Sequence, residues 1–348
     1  MVLNLFISIL AIACSITEVG GVHRDWKQFP AVVVADQPHE LYALGDTHGD
    51  EERLAQLLVT THIIASAPAR PDQVKWSAGK AVLVCTGDMI DKYAQSIEVI
   101  ELMRALQQSA SEQGGRVIVT MGNHEAEFLA GGGADKKAAD FIAELKTAGL
   151  DPQKVAAGDD DRGIGAWLRD LPVAAKVGDW FFCHAGNTQG WTTDKLETEV
   201  ESVVDAQGFD VPVLVSENSL LEARMHPRPW WDWDGSEPAL KESKVEKEKS
   251  DGKLDAGEER LRKNLEALEV HHLVFGHQPG VIKFDDGTER PANAMMQKYD
   301  GLVFFIDTGM SRGVNSGRGA VLAIHNGEKH MSVSAEFADG RSELLLKN

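Results

Sequence analysis

The chain has 348 residues, 43% hydrophobic and 26% charged, the balance of a water-soluble globular protein whose length suits one large domain. Its 54 acidic against 35 basic side chains give a net charge of −19, which excludes nucleic acid and anionic membrane as natural partners. Three cysteines are too few for a disulfide framework, and Cys85 and Cys183 lie in apolar runs where a thiol behaves as a small hydrophobe.

Residues 1–21 carry the apolar run Val2–Cys14, which suits the core of a signal peptide and is short for a bilayer-spanning helix. Export to a periplasm or to the outside is the expectation, with no stable membrane span. No Lys or Arg precedes the run, so an N-terminal strand in a cytoplasmic protein is the alternative. Residues 22–348 read as a single domain.

From residue 40 onward, short apolar runs repeatedly end in a polar island. Glu40–Leu44 leads to Gly-Asp-Thr-His-Gly (45–49), and Ala81–Cys85 to Gly-Asp-Met-Ile-Asp (87–91). Arg116–Thr120 leads to Gly-Asn-His-Glu (122–125), Trp180–Cys183 to His184, and His272–Phe275 to Gly-His-Gln (276–278). Each run is of strand length and is followed by a turn former. Polar residues at the C-terminal ends of strands converge on one edge of a sheet.

Between the runs lie amphipathic patterns over Asp50–Ile64, Ser96–Gln108, Lys136–Ala148 and Glu259–Val270. Alternating strand and helix predicts an α/β architecture. Ala65–Lys80, with Pro68, Pro71 and Gly79, reads as a surface loop. The stretch near 236–258 is dense in Lys and Glu and reads as a charged insertion. Trp230, Trp231 and Trp233 either line a pocket or pack in the core. Strands over Gly319–Ile324 and His330–Phe337 are expected to close the second sheet.

Asp46, His48, Asp88, Asn123, His184 and His277 are oxygen and imidazole donors suited to two divalent metals, Mn or an Fe–Zn pair. Asp46 and His48 are two apart, so an extended segment points both to one side. Asp88 is the natural bridge, since one carboxylate can give an oxygen to each cation. A lone Gly-Asp or Gly-His is an ordinary turn, but four such islands in order are not explained by turns.

The islands resemble the metallophosphoesterase (calcineurin-like) superfamily, whose pattern is GDxHG, GDxxDR, GNHE, a lone His and then GH. Gly165–Val173 leading to Phe181–Gly186 is similar to the segment before the "HGG" motif of Ser/Thr phosphatases. Ile306-Asp-Thr-Gly-Met-Ser311 is similar to the Shewanella-like branch of the phosphoprotein-phosphatase group. The resemblance implies two β-sheets flanked by helices with metals at their edge, and it completes the second metal with Asn123, His184 and His277. It implies attack on phosphorus by a metal-bridging hydroxide, with His124, held by Asp91, protonating the leaving group. Lys92 stands where the pattern has Arg, so a two-pronged phosphate grip becomes a point charge. Arg224, with Arg228 as its rival, matches the family's second phosphate-binding Arg, and Glu125 reads as structural.

The reaction so implied is hydrolysis of a phosphomonoester on a Ser, Thr or Tyr of a phosphorylated protein. A small phosphoester substrate, such as a nucleotide or dinucleoside polyphosphate, is the alternative. A non-catalytic metal-dependent scaffold is the third reading, disfavoured because all six ligands and His124 are present. If the leader is removed on export, N-terminal sequencing of the mature protein will find a start near Val22; a retained Met1 would refute export by this route.

Overall fold

Apolar runs that do not alternate with polar residues predict strands covered on both faces. The computed structural model, which describes residues 24–225, 229–232, 256–284, 286–315, 317–327 and 330–347, bears this out. The proposed leader, Arg228, Trp233 and most of the charged insertion lie outside the described residues.

Strand β1 (Val32–Ala35) precedes β2 (Glu40–Leu44), helix α1 (Glu51–Thr60), β3 (Val82–Cys85), α2 (Ser96–Glu112) and β4 (Arg116–Val119). Helices α3 (Asn123–Ala130), α4 (Ala139–Thr147), α5 (Pro152–Ala157) and α6 (Ile164–Arg169) lead to β5 (Ala174–Val177) and β6 (Trp180–Cys183). After α7 (Thr193–Gln207), α8 (Pro212–Val215) and α9 (Ala256–Leu268) comes β7 (His272–Phe275). A hairpin of β8 (Ile282–Lys283) and β9 (Glu289–Arg290) is followed by β10 (Met296–Lys298) and β11 (Val303–Phe305). The chain then runs through β12 (Ala320–Asn326), β13 (Met331–Phe337) and β14 (Ser342–Lys347).

Two six-stranded mixed sheets result, ordered β1-β5-β6-β7-β11-β10 and β14-β13-β12-β2-β3-β4. In the second, β2, β3 and β4 run parallel with Leu44 opposite Cys85 and Cys85 opposite Val119. In the first, parallel β6 and β7 set Cys183 opposite Phe275. Five ligand-bearing loops therefore leave the same ends of neighbouring strands. Of the two C-terminal strands expected from sequence, β12 lies beside β2 and β13 beside β12, in the sheet of the first islands, and β14 extends that sheet beyond them.

Alternate side chains divide between two interiors. Leu41, Val84, Phe182, Val274, Phe304 and Leu322 meet between the sheets, while Leu83, Cys85, Phe181 and Phe275 face the flanking helices. Both layers exclude water, which is why these strands carry no polar alternation. The segment 65–80 is less of a surface loop than its prolines suggest. Val74 and Trp76 are buried, and the Trp76 N–H donates to Ser109 Oγ at 3.0 Å. Trp230 and Trp231 are also buried, Trp231 against Tyr299 and Phe305, so they pack rather than line a pocket. Among the described residues, no helix is long and apolar enough to cross a membrane.

Leu322 sits at the middle of the inter-sheet layer with no exposed surface. Leu322→Ala is expected to lower unfolding free energy by about 2–5 kcal/mol in urea titrations. A loss below ~1 kcal/mol would be incompatible with a dry interior there.

Candidate metal centre

Three of the donors, His48, Asp88 and His277, sit at positive φ, backbone geometry that a regular strand or helix cannot supply. Asp46 and His48 do not lie in an extended segment as expected. His48 has φ 40° and Gly49 φ 64°, so the chain turns tightly after Asp46. The turn is hung on the next loop, because Thr47 and His48 N–H groups both donate to the Asp88 carbonyl at 2.9 Å. That loop in turn contains three non-glycine residues at positive φ, Asp88 at 52°, Asp91 at 68° and Lys92 at 68°. Such conformations cost about 1–3 kcal/mol each unless the surroundings hold them.

The Asp91 N–H is held by Ser96 Oγ at 3.1 Å, and at Asp88 the hold comes from one side chain. The buried Glu125 carboxylate accepts from the N–H groups of Asp88 (2.9 Å), Met89 (2.8 Å), Ile90 (3.2 Å) and Gly122 (2.8 Å). The structural role expected of Glu125 is therefore that of a clamp joining the loops after β3 and β4. Gly122 and Gly276 let carboxylates approach closely. A Cβ on Gly122 would meet Asp88 Oδ1 at 2.2 Å, and one on Gly276 would meet Asp46 Oδ1 at 2.2 Å.

The six expected ligands are all buried and come together. His48 Nδ1 faces the Ile90 carbonyl at 3.1 Å and His184 Nδ1 the Thr86 carbonyl at 2.9 Å. A proton on each Nδ1 leaves the Nε2 lone pair pointing inward, the arrangement metal-binding histidines need. His184 Nε2 lies 3.0 Å from Asn123 Oδ1, 3.3 Å from Asp88 Oδ2 and 3.0 Å from His277 Nδ1. His48 Nε2 lies 3.5 Å from Asp88 Oδ2 and 3.9 Å from Asp46 Oδ2. Asp46 is oriented by the His277 N–H, 3.1 Å from each of its oxygens. Two groups capable of holding a cation result, His48–Asp88–His124 and Asp88–His184–His277, with Asp88 common to both.

This donor set fits divalent cations and little else. Electron-pair donors face one another with too few protons to satisfy them, a costly arrangement in a buried site unless a cation intervenes. Burial, with Asp307 and Asp88 nearby, pushes Asp46 well above the usual carboxylate range. Burial also opposes the charged form of Asp88, but His184, His124 and His48 hold it well below that range. Desolvation takes His48 down to about 4 and His277 well below the ordinary imidazole value, so both are neutral and free to ligate.

His124 stands apart in chemistry though not in space. Its Nδ1 is 3.4 Å from Asp91 Oδ2, and Asp91 is itself fixed by the Asp140 and Phe141 N–H groups at 2.8 and 3.2 Å. Burial works against the imidazolium, but Asp88 and Asp91 outweigh it and lift His124 to about 9. Bound cations would act in the opposite direction. Lys92 Nζ lies 3.8 Å from Asp91 Oδ2 with its side chain 42% exposed, at the rim of the site. Arg224 is 56% exposed, 3.8 Å from Glu222, and its charge adds to the depression of His277. Both expected phosphate-binding cations thus border the metal groups.

Three partners escaped the sequence reading. Asp307, fully buried, follows β11 as the ligands follow their strands; burial brings it up to about 6, and its Oδ2 finds no hydrogen-bond donor. Its signal was the apolar run 302–306 ending in Asp-Thr-Gly. Arg312 grips buried Asp50 through Nε (2.9 Å) and Nη2 (2.6 Å), fixing the first turn of α1 just after the 45–49 loop. Glu222 accepts from Asn123 Nδ2 at 3.2 Å. No sequence spacing announces either of the last two.

The calcineurin-like phosphoesterase family matches residues 40–280 of the chain. The crystal structure of a cold-active protein-tyrosine phosphatase from a psychrophilic Shewanella species superposes with a TM-score of 0.63, covering 91% of this chain and 82% of that one at 23% identity. That likeness shows a shared fold. Shewanella-like protein phosphatase 2 of Arabidopsis thaliana is 27% identical over 96 residues, 28% of this chain and 23% of that protein. The symmetrical bis(5'-nucleosyl)-tetraphosphatase of Vibrio campbellii is 28% identical over 166 residues, 47% of this chain and 52% of that protein. The chain spans about half or less of the length of these curated relatives.

Gly122→Ala forces its methyl onto Asp88 Oδ1. Metal content after equilibration with Mn is expected to fall, with affinity weakened at least about tenfold. Parent-like metal content in a folded variant would contradict the geometry described.

Proposed function

The chain belongs to the calcineurin-like phosphoesterase family, and from that premise we propose that it is a two-metal phosphomonoesterase acting on phosphorylated protein side chains. The observation that carries the proposal is the sharing of one buried carboxylate, Asp88, between two groups of donors. Asp46, His48 and Asp88 would hold a first divalent cation and Asp88, Asn123, His184 and His277 a second; bound there, the pair would supply Lewis acidity and a lowered water pKa for direct in-line attack on phosphorus. Burial pushes the Cys85 thiol well above its ordinary range and the Cys183 thiol up to about 12, which removes them as nucleophiles.

His124 delivers the proton to the departing alkoxide. Asp91 Oδ2 faces His124 Nδ1 at 3.4 Å as an ion pair that favours the imidazolium, leaving a transferable proton on Nε2, and two backbone N–H bonds keep Asp91 from turning away. Lys92 and Arg224 neutralise the phosphoryl oxygens at the rim. The likeness in fold to protein phosphatases supports the protein substrate.

Hydrolysis of a dinucleoside polyphosphate is the second reading, favoured by the match to a symmetrical bis(5'-nucleosyl)-tetraphosphatase over nearly half the chain. Lys92 also favours it, since a point charge grips a monoester dianion less tightly than a fork.

With p-nitrophenyl phosphate and added Mn, the full chain is expected to turn over and Asp88→Asn to lose roughly 10²–10³-fold or more, with fewer bound metals. Phosphopeptides are expected to be hydrolysed faster than diadenosine tetraphosphate. The opposite ranking would transfer the assignment to the second reading, and equal activity of Asp88→Asn would refute the mechanism.

A further inference from the structure

An asparagine can serve a cation through only one of its two amide faces. Oδ1 offers lone pairs; Nδ2 offers protons that would repel the metal. Asn123 Oδ1 faces His184 Nε2 at 3.0 Å, inside the second metal group. Its Nδ2 points the other way and donates to Glu222 Oε1 at 3.2 Å. An ionised carboxylate accepts and cannot donate, so Glu222 tolerates the productive face of Asn123 and rejects the flipped one.

Glu222 is itself built into place. Its side chain is 9% exposed. The N–H groups of Leu221 and Glu222 donate to Ser219 Oγ at 3.3 and 3.1 Å, and that hydroxyl donates to the Leu214 carbonyl at 2.9 Å. The Leu220 carbonyl accepts from the Ala185 N–H at 3.0 Å, which pins the segment beside the His184 loop. Lys137 Nζ at 3.5 Å and Arg224 Nη2 at 3.8 Å balance the charge of Glu222, while Glu127, also buried and paired with Lys137, approaches it from α3.

We propose that Glu222 is a positioning residue that fixes the amide of Asn123 with its oxygen toward the second metal. The inference rests on the two-metal reading above and adds to it a residue that touches neither metal nor substrate. A donor or an apolar group at this position frees the amide to rotate, and the second cation then loses a ligand for part of the time.

The test is Mn binding to the metal-free full chain, followed by calorimetry and by the EPR signal of coupled Mn pairs. Glu222→Gln offers an amide donor as well as an acceptor oxygen, so it can satisfy either face of Asn123 and is expected to weaken the second equivalent about 3–10-fold. Glu222→Leu is expected to bind that equivalent about 10–100-fold more weakly and to lose the coupled signal, with the first equivalent little changed. Glu222→Met takes its place if the Leu variant does not fold.

The same substitution is then made in an Asn123→Asp background. A carboxylate has no wrong face, so loss of Glu222 is expected to cost little there. An equal loss in both backgrounds would mean that Glu222 only supports the fold, and would overturn the proposal. So would unchanged binding by Glu222→Leu while the parent binds two Mn. A parent chain that binds no Mn would sink the two-metal reading and this one together.

Discussion

The candidate centre depends on one buried anion that is not a ligand. Glu125 takes four backbone N–H groups, three from consecutive residues of the 88–90 loop and one from Gly122. Those four bonds offset the desolvation of the carboxylate and hold Asp88 in a left-handed conformation that an isolated chain would avoid. Because Thr47 and His48 hang from the Asp88 carbonyl, the first loop inherits its position from the second. Because Gly122 opens α3, Asn123 and His124 inherit theirs from the same clamp. Four site residues are thus placed by a side chain that touches no reactant.

Around that clamp the site is destabilised by its own charge. Asp46, Asp88 and Asp307 are each at least 96% buried, and the buried Arg290 guanidinium donates to carbonyls, that of Asp307 at 2.8 Å and those of Gln278 and Gly280, rather than to a carboxylate. Three such anions cannot all stay ionised in a dry interior without cations. The raised Asp46 and Asp307 values record that conflict. Cations that bind only the folded chain relieve it and contribute to stability through mass action. Stability and the chemistry of the site are therefore linked through the same oxygens.

The ligands were legible because each ends a run of apolar residues, and strand ends are where a sheet presents loops. Asp307 obeyed that rule and was still missed, since Asp-Thr-Gly served only as a mark of resemblance and not as a place in the site. Glu222 and the Arg312–Asp50 pair could not be read at all: their partners lie 99 and 262 residues away in sequence, and only the fold sets them side by side. Trp76 shows the opposite failure. Its proline-rich surroundings are correct signals for irregular backbone, but irregular backbone can still bury an indole when the Gly79 carbonyl accepts its ring N–H at 2.8 Å and Ser109 Oγ of α2 accepts the backbone N–H. The pairing of Asp46 with His48 was foreseen for the wrong reason, a two-residue spacing along a strand. A left-handed turn achieves it, and nothing but His48 itself, an uncommon residue in that conformation, hints at the turn.

The replacement of Arg by Lys at position 92 has a narrower meaning than sequence allows. Its backbone is left-handed and hemmed in, since a Cβ on Gly313 would strike the Lys92 carbonyl at 2.0 Å. The neighbouring Tyr93 ring lies under the Arg312 guanidinium at 4.5 Å, and Arg312 is fixed to Asp50. The root of the side chain is therefore as rigid as the metal loops, and only its charged tip differs from the family pattern. A rigid root with a point charge keeps the electrostatic pull on phosphoryl oxygens while giving up two-pronged orientation. Under the proposed function, discrimination between phosphoesters would fall to groups other than Lys92, among them Arg224, which is tethered through Glu222 to the second metal group.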